Sequence, residues 1–348
     1  MYKFIYPRII RTVTGGHRYE ARLRKVLSER TDVATIALNE KEELTVSDKL
    51  RSPMTSLRLL RKIEKGDIAV FNSSSGFYLL PVVWGLRLMG RQTMVIHHHF
   101  MYEEFKGVKR GFYRLMEHLM LKGATRRLTP SPYILDKMKG YGDTELLPIP
   151  FDVIEGTPMP CPGRLLYVGT IEPRKGLHLM MEALLQRPER RNFELHIVGK
   201  CVDMEYKAWL HKVAREGDLQ IRFPGMIGED ELRREYENAD LFLFPSIIEG
   251  FGMAMNEARF YGLPVVGFST SAIPLSITDG EDGFLIEPFD TATFGRRVAQ
   301  LVSDRGLRGR MGQKALERSR RLPGLKEFRD GVSRIFFEGK GEKEGSEG

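Results

Sequence analysis

The chain has 348 residues, more than one hydrophobic core ordinarily organises, so two domains of roughly 150 to 180 residues are expected. Hydrophobic residues make up 42% and charged residues 29%, spread along the whole length, which excludes a disordered or fibrous protein. The formal charge of +8 is uneven: residues 1–150 carry 26 Lys and Arg against 15 Asp and Glu, a balance of +11, whereas 151–348 carry 28 against 31, a balance of −3.

In chain order, short apolar runs alternate with amphipathic stretches, the pattern of parallel sheets wrapped by helices. The first half reads as a strand at 3–6, a helix at 17–30, a strand at 33–38, a strand at 68–71, a helix at 77–89, a strand at 93–96 and a long basic helix within 108–122. Three prolines in alternate positions, Pro158, Pro160 and Pro162, mark a stiff linker. The rhythm then restarts with strands at 165–168, 194–198, 221–223, 241–244 and 265–268, and helices at 176–185, 205–215, 229–238 and 253–261. The organisation expected is a first domain over 1–152, a linker over 153–163, a second domain over 164–322, a closing helix within 323–337 that returns toward the first domain, and a disordered tail over 338–348. Two doubly wound, Rossmann-like α/β domains of this kind bind ligands at the carboxyl ends of their strands, here in a central cleft.

Several classes drop out. The two cysteines, Cys161 and Cys201, have no ligand-like spacing, so neither a disulfide framework nor a zinc site is expected and a reducing cytosol is favoured. The longest apolar run, 77–86, is too short to span a bilayer, and the first residues do not read as a signal peptide. Neither Gly169 to Gly176 nor Gly250-x-Gly252 completes a Walker loop or a dinucleotide fingerprint, which disfavours an oxidoreductase.

The stretch richest in chemistry is Phe244-Pro245-Ser246-Ile247-Ile248-Glu249-Gly250-Phe251-Gly252-Met253, followed by Glu257. It leaves a strand, turns on two glycines and enters a helix, so backbone N–H groups and the positive helix end converge on one place suited to phosphate. Glu249 and Glu257 would lie ~12 Å apart if both were helical, too far to share one atom and better suited to hydroxyls at opposite ends of an extended ligand.

A glutamate, seven residues and a second glutamate in this setting resembles the donor motif of the retaining glycosyltransferases of family 4, the glycosyl transferases group 1 type. Collinear segments support the resemblance: Thr14-Gly15-Gly16, Val95-Ile96-His97-His98, Leu128-Thr129-Pro130-Ser131, Tyr167 to Gly176, His196-Ile197-Val198-Gly199, Phe223-Pro224-Gly225, Gly262-Leu263-Pro264 and Asp279 to Ile286. It implies a GT-B fold and transfer of a sugar from a nucleoside diphosphate donor to a hydroxyl acceptor with retention of configuration. Under it, Glu249 would contact donor-sugar hydroxyls, Glu257 the ribose, and the backbone of Gly250, Phe251, Gly252 and Met253 the sugar and diphosphate. Arg174 and Lys175 would neutralise the leaving group, a role that the charge built up on departure also requires. Thr170, Gly199 and Ile227 would line the donor side, and the loop at Gly15 and Gly16 the acceptor side. No metal and no cofactor are implied, the nucleotide sugar being a substrate.

The chain departs from the family pattern at three places. Thr170 stands where many relatives carry Arg. Ser271-Ala272-Ile273-Pro274-Leu275 replaces the usual Gly-Gly-x-Pro-Glu. A run, His97-His98-His99, replaces a single His, with His97 the first choice to face the donor and His98 the next. Consecutive side chains diverge, which argues against a three-histidine metal site. A GT-B phosphorylase or epimerase, or an inactive sugar-nucleotide binder, remains open as an alternative.

The basic first half, above all 106–127 with its apolar stripe at Phe112, Leu115, Met116, Leu119 and Met120, reads either as an ordinary solvated helix or as a docking face for anionic lipid at the inner membrane surface, with a lipid-linked acceptor. The stretch lacks interleaved aromatics or a helix-turn-helix pattern, which argues against nucleic acid.

Overall fold

The computed structural model describes residues 1–6, 15–37, 57–73, 76–152 and 159–338. The chain divides into two compact units, Met1–Pro150 with Pro323–Gly348 and Phe151–Leu322. Of the expected linker, 153–158 lie outside the described residues; Met159 and Cys161 donate backbone N–H bonds to the carbonyls of Glu237 and Asn238, at 2.8 and 2.9 Å. The expected tail lies outside the described residues from 339 on.

The first unit is built from β1 (Tyr2–Tyr6), α1 (Gly15–Ser28), β2 (Val33–Ala37), β3 (Ile68–Asn72), α2 (Gly76–Leu88), β4 (Gln92–Ile96), α3 (Gly107–Gly123), β5 (Arg126–Thr129), α4 (Pro132–Lys137) and β6 (Thr144–Leu146). Its six strands form one parallel sheet in the order β2-β1-β3-β4-β5-β6. β1 and β3 are apolar on both faces, as parallel strands covered by helices must be. α4 starts where Ser131 accepts the Ile134 N–H and Pro132 takes the first helical position.

The second unit contains β7 (Arg164–Val168), α5 (Leu177–Leu185), β8 (Glu194–Val198), α6 (Met204–Glu216), β9 (Gln220–Gly225), α7 (Glu229–Asn238) and β10 (Leu241–Phe244). It continues with α8 (Met253–Phe260), β11 (Val265–Phe268), β12 (Gly283–Ile286), α9 (Thr291–Ser303) and α10 (Arg305–Ser319). Its parallel sheet has the order β12-β11-β10-β7-β8-β9. Asp203, Asp290 and Asp304 cap α6, α9 and α10, each accepting a backbone N–H three residues on.

The chain then returns to the first unit as α11 (Leu325–Ser333) and a π-turn, Arg334–Glu338. Tyr2 donates its hydroxyl to the Phe336 carbonyl at 3.0 Å, Phe328 packs edge-on against Tyr19, and Arg126 donates to the Ile335 carbonyl.

Each sheet reverses its strand order once, between β1 and β3 in the first unit and between β7 and β10 in the second. Loops leaving the carboxyl ends on either side of such a reversal part to opposite faces, and side chains at that point can converge on a ligand. The expected fold, α/β with two doubly wound parallel units, is the observed one.

Candidate functional site

In the second unit the loops after β7 and β10 leave neighbouring strands at the reversal point. The β7 loop ends in a 3-10 turn, Pro173–Lys175, and the β10 loop ends at the N-terminus of α8. The two loops are joined where the Ile247 N–H donates to the Arg174 carbonyl at 3.1 Å.

That join brings Lys175 onto Glu249, with Nζ 2.7 Å from Oε2 and side chains only 13% and 15% exposed. Glu249 Oε1 accepts the backbone N–H of Gly252 at 3.3 Å. Burial pushes the Glu249 carboxyl up, but Lys175 beside it, Arg174 and the Phe251 backbone N–H outweigh burial and bring it down to about 2. It is therefore an ionised acceptor at neutral pH, next to a cation whose three N–H donors exceed the one acceptor it meets among the described residues.

Arg174 pairs with Glu172 at 2.9 Å, and Thr170 donates its hydroxyl to the same carboxylate. Tyr167 donates to the Thr170 carbonyl at 2.9 Å, which fixes this loop from below. The loops after β7, β8 and β9 lie side by side. Ile171 N–H donates to the Lys200 carbonyl at 2.9 Å, and Gly199 N–H to the Gly225 carbonyl at 2.8 Å. Gly199 has φ +137°, and a Cβ there would overlap the Gly169 carbonyl oxygen, so only glycine fits. Ile227 is half-buried against the apolar core beneath β10 and α8.

Gly252 enters α8 at φ +81°, again a glycine conformation. Gly250, Phe251 and Met253 are partly exposed along this turn, and the Phe251 ring stacks on Phe151 with centroids 5.9 Å apart. Glu257 accepts the Tyr236 hydroxyl at 3.1 Å. On the other side of α8, Arg259 donates to Asn256 at 2.9 Å and to Asp282 at 3.1 Å, a buried pair that holds the helix against the β12 loop. Ala272 N–H donates to the Glu249 carbonyl at 3.3 Å, so the variant segment 271–275 packs on the backbone of Glu249, with Leu275 exposed in a 3-10 turn.

In the first unit Gly15 and Gly16 open α1, and a Cβ on Gly16 would come within 3.3 Å of the His98 ring. His97, the first choice of the histidine run, is fully buried against Phe100, and neither ring nitrogen has a hydrogen-bond partner among the described residues. Burial, then the neighbouring His99 and His98, hold its ring well below the ordinary histidine value, so it is neutral. His98 keeps partial exposure and pairs with Glu20, and His99 pairs with Glu104 at 3.4 Å. Sequence reasoning did not single out Glu20, Glu172 or Tyr236: Glu172 lies inside the Tyr167 to Gly176 segment and meets Thr170 and Arg174 two residues away on either side, whereas Glu20 and Tyr236 stand outside the motif segments and meet their partners through the fold. Among the described residues no group of three or more His, Cys, Asp or Glu is placed to hold a metal ion.

Residues 162–318 match the family model for glycosyl transferases group 1. A D-inositol 3-phosphate glycosyltransferase of Corynebacterium efficiens is 32% identical over 160 residues, 44% of this chain and 38% of that relative. The O-antigen chain mannosyltransferase B of Escherichia coli is 30% identical over 150 residues, 41% of this chain and 37% of that relative. The chain thus spans little more than a third of the length of these relatives. Among solved structures, sucrose-phosphate synthase of Thermosynechococcus elongatus superposes with a TM-score of 0.78 at 17% identity, over 97% of this chain and 98% of that one. Anabaena HepE in complex with UDP-glucose does so with 0.78 at 15%, over 96% and 98%, a likeness of fold alone. The second unit of the chain belongs to glycosyl transferases group 1, in a chain with the GT-B fold.

Proposed function

We propose that the chain transfers a sugar from a nucleoside diphosphate sugar to a hydroxyl acceptor, with retention of configuration as in family 4 and without a metal or cofactor. The observation that carries this is the Lys175–Glu249 pair at the strand-order reversal, beside the N-terminus of α8. An ionised, half-enclosed carboxylate accepts sugar hydroxyls. Lys175 and Arg174 offset the charge that grows on a departing diphosphate, the work a metal does in other transferases. Glu257, about one turn into α8, would meet the ribose, and Gly199 and Ile227 would line the base. The departing phosphate itself would take the acceptor proton, so no enzyme nucleophile is needed. A relative named as a D-inositol 3-phosphate glycosyltransferase and a neighbour crystallised with UDP-glucose fit this chemistry. Glu249→Ala should abolish transfer while melting as a folded protein. Turnover of a UDP-, GDP-, ADP- or TDP-sugar panel by Glu249→Ala at the wild-type rate would overturn the assignment.

The acceptor we propose is lipid-linked, reached from the cytoplasmic face of a membrane. The outer side of α3 exposes Val108, Phe112 and Leu115 among Lys106, Lys109, Arg110 and Arg114, an apolar strip bordered by cations that suits an anionic headgroup layer. No helix among the described residues is long and apolar enough to cross a membrane. Co-sedimentation with liposomes containing anionic lipid, lost at high salt and with Phe112→Asp, is expected; equal recovery with neutral liposomes would remove the membrane part of the reading.

A further inference from the structure

Behind Gly15 and Gly16, the first unit buries a carboxylate that the proposed chemistry does not use. Glu20 is 1% exposed on the inward face of α1, among Tyr19, Leu23 and Leu27. Every atom of it is engaged. Oε2 accepts the Tyr6 hydroxyl at 2.6 Å; Oε1 accepts Asn72 Nδ2 and lies 3.1 Å from His98 Nε2. Arg24 in turn donates to the Tyr6 hydroxyl at 2.7 Å. Tyr6 ends β1 and Asn72 ends β3, so the cluster stands at the strand-order reversal of this unit, as Lys175 and Glu249 do in the other.

The His98 ring is gripped from three sides. Glu20 meets Nε2, Tyr19 packs edge-on with centroids 5.6 Å apart, and Gly16 leaves room for no side chain larger than its own hydrogen without pressing on the ring. Among the described residues Nδ1 has no hydrogen-bond partner, and the side chain keeps 15% exposure. A buried carboxylate costs folding free energy, and one that accepts three donors at a reversal point and leaves a histidine nitrogen unengaged fits the orientation of that histidine.

We propose that Glu20 is a positioning residue that holds His98 with Nε2–H committed to the carboxylate, so that Nδ1 is presented to a substrate hydroxyl. His98, rather than the enclosed His97, is then the ring of the run that meets substrate. This rests on the glycosyl transfer reading for its substrate, but the orientation of the ring does not.

The test combines long-range proton–nitrogen NMR of the eight histidines, His98 assigned from its loss in His98→Asn, with transfer kinetics. Wild type should show His98 protonated at Nε2. Glu20→Gln should mix the tautomers and lower kcat at least tenfold, with Glu20→Asp in between. Gly16→Ala leaves Glu20 and its other partners intact and presses on the ring, and it should lower kcat about threefold with the same spectral change, which keeps the test available should Glu20→Gln fail to fold. A raised KM for the nucleotide sugar would assign the hydroxyl to the donor, and a raised KM for the acceptor to the other substrate. Folded Glu20→Gln or Gly16→Ala with wild-type His98 signals and wild-type kcat would overturn the proposal. Spectral changes as expected in a protein that turns over no sugar nucleotide would support the positioning and defeat the transfer reading instead.

Discussion

Lys175→Met leaves Glu249 in the same enclosed place without its partner. The size of the effect follows from the carboxylate: an ordinary value of 4.5 brought to about 2 in the folded chain contributes about 3 kcal/mol when the group is ionised in both states. Arg174 and the backbone N–H groups stay, so a loss of about 2 to 3 kcal/mol at pH 7 is expected, at or just below the lower end of the ~3 to 5 kcal/mol typical of removing one partner from a buried pair. The sign with pH is set by the downward direction of the shift. The stabilisation is complete above the unfolded value of 4.5 and fades as pH falls toward about 2, so the penalty of Lys175→Met should shrink between pH 5 and pH 3. The chain has two tryptophans, Trp84 in the first unit and Trp209 in the second, so urea unfolding read by Trp209 in a Trp84→Phe background reports on the second unit. Lys175→Met with Glu249→Gln removes both charges and should recover at least half of the loss. An equal penalty at pH 7 and pH 3, or strict additivity in the double variant, would refute the electrostatic reasoning.

Gly199→Ala forces a Cβ onto the Gly169 carbonyl in a backbone region closed to alanine, and should cost about 2 to 4 kcal/mol by urea unfolding of the second unit while the Trp84 signal is unmoved. Glu117 in α3 accepts the backbone N–H groups of Met101 and Tyr102 at 2.8 and 3.2 Å, and burial, opposed by those bonds, pushes its carboxyl up to about 7. The unfolded chain gives up that proton near 4.5 and the folded chain near 7, so this group lowers stability as pH rises through that window. Glu117→Gln should flatten the fall of first-unit melting temperature between pH 4.5 and 7, and an unchanged slope would count against it.

Most of the architecture was legible because buried parallel strands are apolar on both faces: 68–71, 93–96, 165–168 and 241–244 stand out from any neighbour. β5 escaped notice since it opens with two arginines, one of which, Arg127, is buried with its charge on the carbonyls of Leu121 and Ala124. β6 is three half-buried residues at a sheet edge. α10 buries Gly312, Ala315 and Ser319 beside a single large apolar residue, Met311, which leaves little amphipathic signal beneath its arginines. In the site, Glu249 and Lys175 could each be singled out locally. Their 2.7 Å contact joins residues 74 apart in sequence and depends on β7 and β10 being neighbours. The ordering of the histidines could not be read at all, because which of three consecutive rings turns inward is decided by Phe100 and Glu20.

The return of the chain through α11 has a consequence for biosynthesis. The second unit is continuous, so a ribosome that has released residue 322 has supplied all of it. The first unit at that moment still lacks the carbonyl that receives Tyr2 and the ring that covers Tyr19. The domain begun first is therefore completed last, and a nascent chain must keep a sheet whose strands are all made but whose last covering segment is missing from pairing wrongly until residue 336 emerges.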